Sequence, residues 1–393
     1  VLPVPIAMLL SFVLAASLAC DRTVDQAAPV VQSVATPSPA VAPSLTAQAA
    51  TDSLTSAQFA ALSARLSDGG AYFDTDNLIS NERSLLHPLT ELDRRGVRGG
   101  AFVGVGPDQG FNYIARTSPR IAFLVDIRRD NLLQHLLFKA LFASAHNRAE
   151  YLALWLGRPV PRDVATWNGI TIDSLVAWAL RTPSTPASAA AAMTLVRAQV
   201  AKSGIALSST DLATIERFHR AFITEGASLR FTSHGRAPQS YYPTLAQLLT
   251  ERDLGGVQSS YLATEAAFRV VQSLERRNLV VPVVSDLAGP KGLPTLAAVL
   301  RERGDSLSVF YASNVEDYLI RDGRFPAFVR SLSQLPRTSN AVIIRSWFGG
   351  EGSHPRSVPG YHTTQLVEPV AELVNDSGVA GIRSYRQLVM RQR

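Results

Sequence analysis

The chain has 393 residues, 46% of them hydrophobic and 18% charged, which excludes an intrinsically disordered protein and leaves apolar surface for one large domain or two average ones. The formal charge is +6, yet there are only three lysines (Lys139, Lys202 and Lys291) and the arginines are scattered, with no block of five cations. A phosphate-tracking face needs clustered cations, so the charge argues against a nucleic-acid partner. One cysteine, Cys20, excludes internal disulfides and cysteine-bearing metal sites, and seven histidines show no ligand spacing.

Residues 1–20 form a nearly unbroken apolar run that ends at Cys20 and is followed by Asp21 and Arg22. This pattern reads as an export signal. The cysteine after a small residue at the end of the run resembles the lipobox of bacterial lipoproteins, which implies lipidation of Cys20 and a membrane-anchored, exported protein. Ser17 stands where that motif prefers an aliphatic residue and no basic residue precedes the run, so an uncleaved anchor or a misplaced start, with a cytoplasmic protein, stays open. Residues 21–54 are rich in Ala, Pro, Ser and Thr, cannot form a core and read as a tether.

The body is expected over 55–393. Helices are predicted over Thr55–Leu66 and Asn81–Arg95, the second ended by Gly96. Ala101–Val105 and Ile121–Val125 are short apolar runs of strand type, with a brief helix over Phe111–Arg116 between them and a buried helix over Leu132–Phe142 after them. From 147 to 278 helical patterns dominate, as in Thr210–Phe222 and Tyr261–Arg277, with a low-complexity hinge at Thr182–Ser188. Strand signals return at Leu279–Asp286, Leu307–Tyr311 and Ala341–Arg345, with helices over Gly292–Arg303 and Val315–Leu332. The alternation predicts an α/β, Rossmann-like, doubly wound and mainly parallel sheet with a large helical insertion, 147–278, after the second strand.

Gly104-Val105-Gly106-Pro107-Asp108-Gln109-Gly110 follows the first strand directly, where glycine lets the backbone turn sharply and approach a ligand. Gln109 stands where a dinucleotide loop prefers glycine, which argues against an NAD-dependent oxidoreductase. Asp126 lies at the end of the second strand, where a carboxylate can accept hydrogen bonds from ribose hydroxyls. A structural turn and a strand-end cap are the alternatives for the two features. Ser80-Asn81-Glu82 reads as a helix cap or as a lid over a cofactor, and Arg128-Arg129-Asp130 as an anion contact or a solvated helix start. His135 and His219 lie in amphipathic helices and read as structural, while His234 and His354 lie in loops without a hydrolase motif around them.

The stretch Phe310-Tyr311-Ala312-Ser313-Asn314-Val315-Glu316-Asp317-Tyr318 resembles the fourth-strand region of class I S-adenosylmethionine methyltransferases. That resemblance implies S-adenosylmethionine as cofactor, with Gly104, Gly106 and Asp108 at the methionine end, Asp126 on the ribose and Asp286 at the adenine. It puts Ser313 and Asn314 at the border of the transfer site, and makes Asn314, Glu316 and Tyr318 the candidates for orienting an unknown small-molecule or protein substrate. Ser80-Asn81-Glu82, the glycine loop, Val125-Asp126-Ile127-Arg128-Arg129 and Ser313–Tyr318 together resemble an uncharacterised bacterial family with a methyltransferase-like fold. Export conflicts with a cytoplasmic cofactor, so the competing expectation is a lipoprotein whose cleft or helical insertion binds another ligand or a protein partner.

Overall fold

The computed structural model describes residues 53–161, 167, 169–237, 239–349 and 352–391. The export signal, Cys20 and nearly all of the tether lie outside the described residues. Among the described residues no helix is long and apolar enough to cross a membrane.

The protein is an α/β fold on a six-stranded, mostly parallel mixed sheet. Its strands are β1 (Ala101–Gly104), β2 (Ile121–Asp126), β3 (Val280–Val284), β4 (Leu307–Ser313), β5 (Arg337–Trp347) and β6 (Thr364–Pro369). The order is β3-β2-β1-β4-β5-β6. β1 to β5 are parallel, with Ala101 opposite Ile121 and Val103 opposite Phe310, and β6 runs antiparallel to β5 with Ile343 opposite Glu368. This is the strand order of the doubly wound dinucleotide fold with its last strand reversed. β1 and β4 are buried along their whole length, which is why they read as continuous apolar runs rather than alternating ones.

Helix α1 (Ser56–Leu66) starts on a capping box, in which Thr55 accepts from the Gln58 amide and the Gln58 side chain accepts from the Thr55 amide. It packs beside β3, where the Ser63 hydroxyl donates to the Pro282 carbonyl at 2.6 Å. The next helix is shorter than expected. Residues 81–87 form turns, and α2 (Pro88–Arg94) begins only at Pro88, whose ring sets the helical φ at the first position. α3 (Gly110–Thr117) and α4 (Arg129–Ser144) follow β1 and β2 as predicted, the latter longer by about a turn at its start.

Between α4 and β3 lie α5 (Arg148–Trp155), α6 (Ile172–Arg181), α7 (Pro186–Val200), α8 (Ser209–Glu225), α9 (Leu245–Thr250) and α10 (Glu265–Arg276). The expected hinge at 182–188 is a helix start instead: Thr185 and Ser188 form a capping box and Pro186 opens α7. These helices share a core with α4. Phe142 lies 4.4 Å from Tyr151 and 5.4 Å from Phe268, Phe138 lies 5.4 Å from Trp155, and Trp155 lies 5.0 Å from Phe222, all between ring centroids. Fully burying each such side chain stabilises by about 1.5–3 kcal/mol, which ties the segment to the sheet's own helices.

α11 (Gly292–Arg303) has the predicted span and ends at Gly304, which is in the left-handed region. The single helix expected over 315–332 is two, α12 (Val315–Arg321) and α13 (Phe325–Ser333), because Gly323 at φ +68° turns the chain between them. α14 (Val370–Val374) and α15 (Tyr385–Met390) complete the chain.

Candidate functional site

The carboxyl ends of β1, β2, β3 and β4 open into a cavity of about 340 Å³. It lies where the strand order reverses, with β1 leading outward to β2 on one side and to β4 on the other, the position where open α/β sheets hold ligands. Its size falls in the range of about 300–1,000 Å³ typical of small-molecule sites. Gly106, Asp126, Asp286, Ser313, Asn314 and Tyr318 all line it.

Gly106 has φ +82°, a conformation that costs a side-chain-bearing residue, and a Cβ there would stand 2.4 Å from the Gln109 amide nitrogen. The turn is pinned from below by His135, which donates from Nε2 to the Gly106 carbonyl at 2.9 Å. Burial pushes the His135 imidazole down to about 4, so it is neutral at pH 7. Its structural role in the helix is thus to hold the glycine turn. Gly104 serves packing: a Cβ would lie 2.6 Å from the Phe102 ring.

Asp126 is tightly partnered. Its Oδ1 accepts from the Arg128 amide (2.9 Å) and Nε (3.1 Å), and its Oδ2 from Nη2 (3.0 Å). Nη1 of Arg128 then donates to the carbonyls of Thr75 and Asp76. A carboxylate has about four acceptor positions, so Asp126 keeps about one for a ligand hydroxyl. Arg129 points elsewhere, to Asp211 at 2.7 Å. Asp286 accepts from the Ala288 amide (2.9 Å) and pairs with Arg324 (2.5 Å).

Two segments roof the cavity, 72–77 and the one that carries Phe231, Ser233, Arg236 and Tyr242. They are joined by the Thr75 hydroxyl donating to the Thr232 carbonyl, the His234 amide donating to the Asp74 carbonyl (both 2.7 Å), and the Asp74–Arg236 ion pair. Tyr318 supports the roof through an edge contact of 5.3 Å with Phe73. His234 and His354 are not among the lining residues.

Asp108 and Glu316 lie away from the cavity lining. Asp108 is buried on the aromatic side, where the Tyr261 hydroxyl donates to it at 3.3 Å, and burial pushes its carboxyl up to about 7. Glu316 forms a buried pair with Arg345, at 2.5 Å to Nε and 3.0 Å to Nη2, and Arg345 also pairs with Glu368. A further carboxylate of the lining, besides Asp74, Asp126, Asp286 and Asp322, is Glu82. Its Oε2 accepts from the Tyr311 hydroxyl (2.6 Å) and the Gln365 amide (2.8 Å), and its Oε1 from the Ser313 hydroxyl. Ser80 makes a local turn, accepting from the Glu82 amide at 3.0 Å. No helix starts here, since α2 begins at Pro88 behind His87, so Ser80 closes a turn and does not cap a helix, while Glu82 belongs to the cavity wall. No sequence signal joins Glu82 to Tyr311 and Gln365, which are 229 and 283 positions away.

The chain belongs to the family of the domain of unknown function DUF7790, which matches residues 78–162 and 210–390. The match spans all six strands and the lining residues from Asn81 onward, and passes over residues 163–209, which hold α6 and α7. No curated protein matches the chain.

Proposed function

We propose that the cleft binds an adenosyl cofactor, S-adenosylmethionine, and that the protein is a methyltransferase acting on a small molecule or a protein. The reading is carried by one observation: Gly106, Asp126, Asp286 and the Ser313–Asn314 pair, each from the carboxyl end of a different strand, line a single cavity at the switch point.

The donor set fits such a group. Asp126 retains an acceptor position for a ribose hydroxyl, the β3 end with Ser285, Asp286 and Leu287 offers a partly apolar wall for a purine, and Gly106 gives backbone access beside the switch point. When bound, S-adenosylmethionine supplies an activated methyl group. What the chain's own residues supply is alignment, since transfer depends on holding acceptor and methyl group in line. Asn314 and Tyr318 on one wall and Arg236 and Tyr242 in the roof border the space left for an acceptor. We read 147–278 as a helical insertion between the second and third strands, which the family match skipping 163–209 supports for those residues.

Calorimetry on the full chain with S-adenosylmethionine, S-adenosylhomocysteine and NAD tests this. Micromolar binding of the adenosyl pair, weakened by Asp126→Asn and absent for NAD, supports it; no adenosyl binding ends it.

A second reading is an exported lipoprotein, anchored at Cys20, whose cleft holds another ligand. It is favoured by the charge pairing in the cleft, where Arg128, Arg236 and Arg324 each already face a carboxylate and both oxygens of Asp126 are engaged. Fatty-acid labelling of Cys20 in wild type and Cys20→Ser separates the two: loss of label and of membrane fractionation in the variant supports the lipoprotein.

A further inference from the structure

Glu82 differs from the other carboxylates of the cleft lining, of which Asp322 is exposed to solvent and the rest are ion-paired. Asp74, Asp126 and Asp286 each carry an arginine, whereas no ion pair among the described residues reaches Glu82, which is 1% exposed. A buried carboxylate without a cation is costly unless hydrogen bonds hold it. Here three donors do so, and the network fixes their direction. The Ser346 hydroxyl lies 3.1 Å from the Gln365 side-chain oxygen, which turns the Gln365 NH2 toward Glu82. The Gln109 amide approaches the Tyr311 oxygen at 3.5 Å, leaving the Tyr311 proton for Glu82. Ser313 adopts φ +51°, uncommon for a residue with a side chain, and places its hydroxyl on Glu82. Three acceptor positions of about four are thus filled, and the carboxylate stands in the cavity wall beside Gly106, Gln109 and Asn314.

We propose that Glu82 selects the charge of the ligand: its carboxylate lacks a protein cation because the bound molecule brings one, a sulfonium or an ammonium, against it. This rests on the adenosyl reading above and adds a requirement to it. The cleft discriminates S-adenosylmethionine, whose sulfur is cationic, from S-adenosylhomocysteine, whose sulfur is neutral, although the two share nucleoside and amino-acid ends. An analogue with an ammonium-bearing carbon in place of the sulfonium sides with the cationic form.

The test is calorimetry of these three ligands on the full chain, wild type and Glu82→Gln, with thermal denaturation alongside. Wild type is expected to bind both cationic ligands at least about tenfold more tightly than S-adenosylhomocysteine, a preference of about 1.4 kcal/mol by the standard conversion. Glu82→Gln should bring the three affinities together chiefly by weakening the cationic ligands. Because a glutamine facing three donors can unfold the protein, the wild-type comparison decides by itself. Equal or tighter binding of S-adenosylhomocysteine by wild type overturns the charge role and leaves the adenosyl site intact. Failure of all three ligands to bind overturns both.

Discussion

Glu316→Gln separates a fold-bearing carboxylate from a substrate-orienting one. The Glu316 side chain is 1% exposed and makes two charge-assisted bonds to a fully buried Arg345. Removing one partner of a buried pair destabilises by about 3–5 kcal/mol, chiefly by leaving the other charge uncompensated. Here Arg345 keeps Glu368, and the glutamine oxygen can still accept one bond, so the lower end applies, about 3 kcal/mol. With an unfolding entropy of about 2.1 cal/mol/K per residue over about 340 folded residues, Tm falls by about 4 °C. Thermal denaturation followed by circular dichroism reads the shift, and calorimetry on the folded variant reads adenosyl affinity, expected within about twofold of wild type. An unchanged Tm with lost binding would refute the reasoning and return Glu316 to the substrate site.

Asp108 predicts a pH effect of defined sign. Burial raises its carboxyl from an unfolded value near 3.8 to about 7, so the native state holds a proton that the unfolded state has lost between those values. The stability of the protonated form is fully present below about pH 4 and is lost as pH rises through about 7. Asp108→Asn should therefore match wild type near pH 4 and exceed it at pH 8 by about 2–4 kcal/mol, measured by urea unfolding at both values; equal differences at both would contradict it. Gly106→Ala should cost about 1–2 kcal/mol from the left-handed φ and, by displacing Gln109 from under the turn, weaken adenosyl binding at least about tenfold. Unaltered binding by a folded variant would remove the glycine turn from the site.

Local chemistry made much of the fold legible. The spans of α1 and α11 follow the predicted ones, and β1, β2 and β3 are apolar runs because both faces of a parallel sheet are covered. Tertiary context hid the rest. Periodicity ran across Gly323 and joined α12 to α13, and it extended α2 backward over residues whose turns are set by Ser80 and by contacts to distant segments. The antiparallel β6 escaped detection because six residues with Gln365 and Glu368 inside them look like a loop until Arg345 and Glu82 supply their partners. At the site, sequence placed Gly106, Asp126, Asp286, Ser313, Asn314 and Tyr318 on one edge, and these share the cavity. It could not show that Gly104 is a packing glycine, that Asp108 faces Tyr261, or that Arg128 occupies Asp126. Those are properties of three-dimensional neighbours, as is the position of Glu82.

The most direct measurement of the central claim is a crystal structure of the full chain grown with saturating S-adenosylhomocysteine. The account predicts the nucleoside between the β2 and β3 ends, with a ribose hydroxyl on Asp126, the purine against the Asp286 segment and the sulfur toward Glu82 and Gly106. A ligand bound elsewhere, or a cleft still closed over the Asp126–Arg128 pair with no nucleoside density, would contradict it.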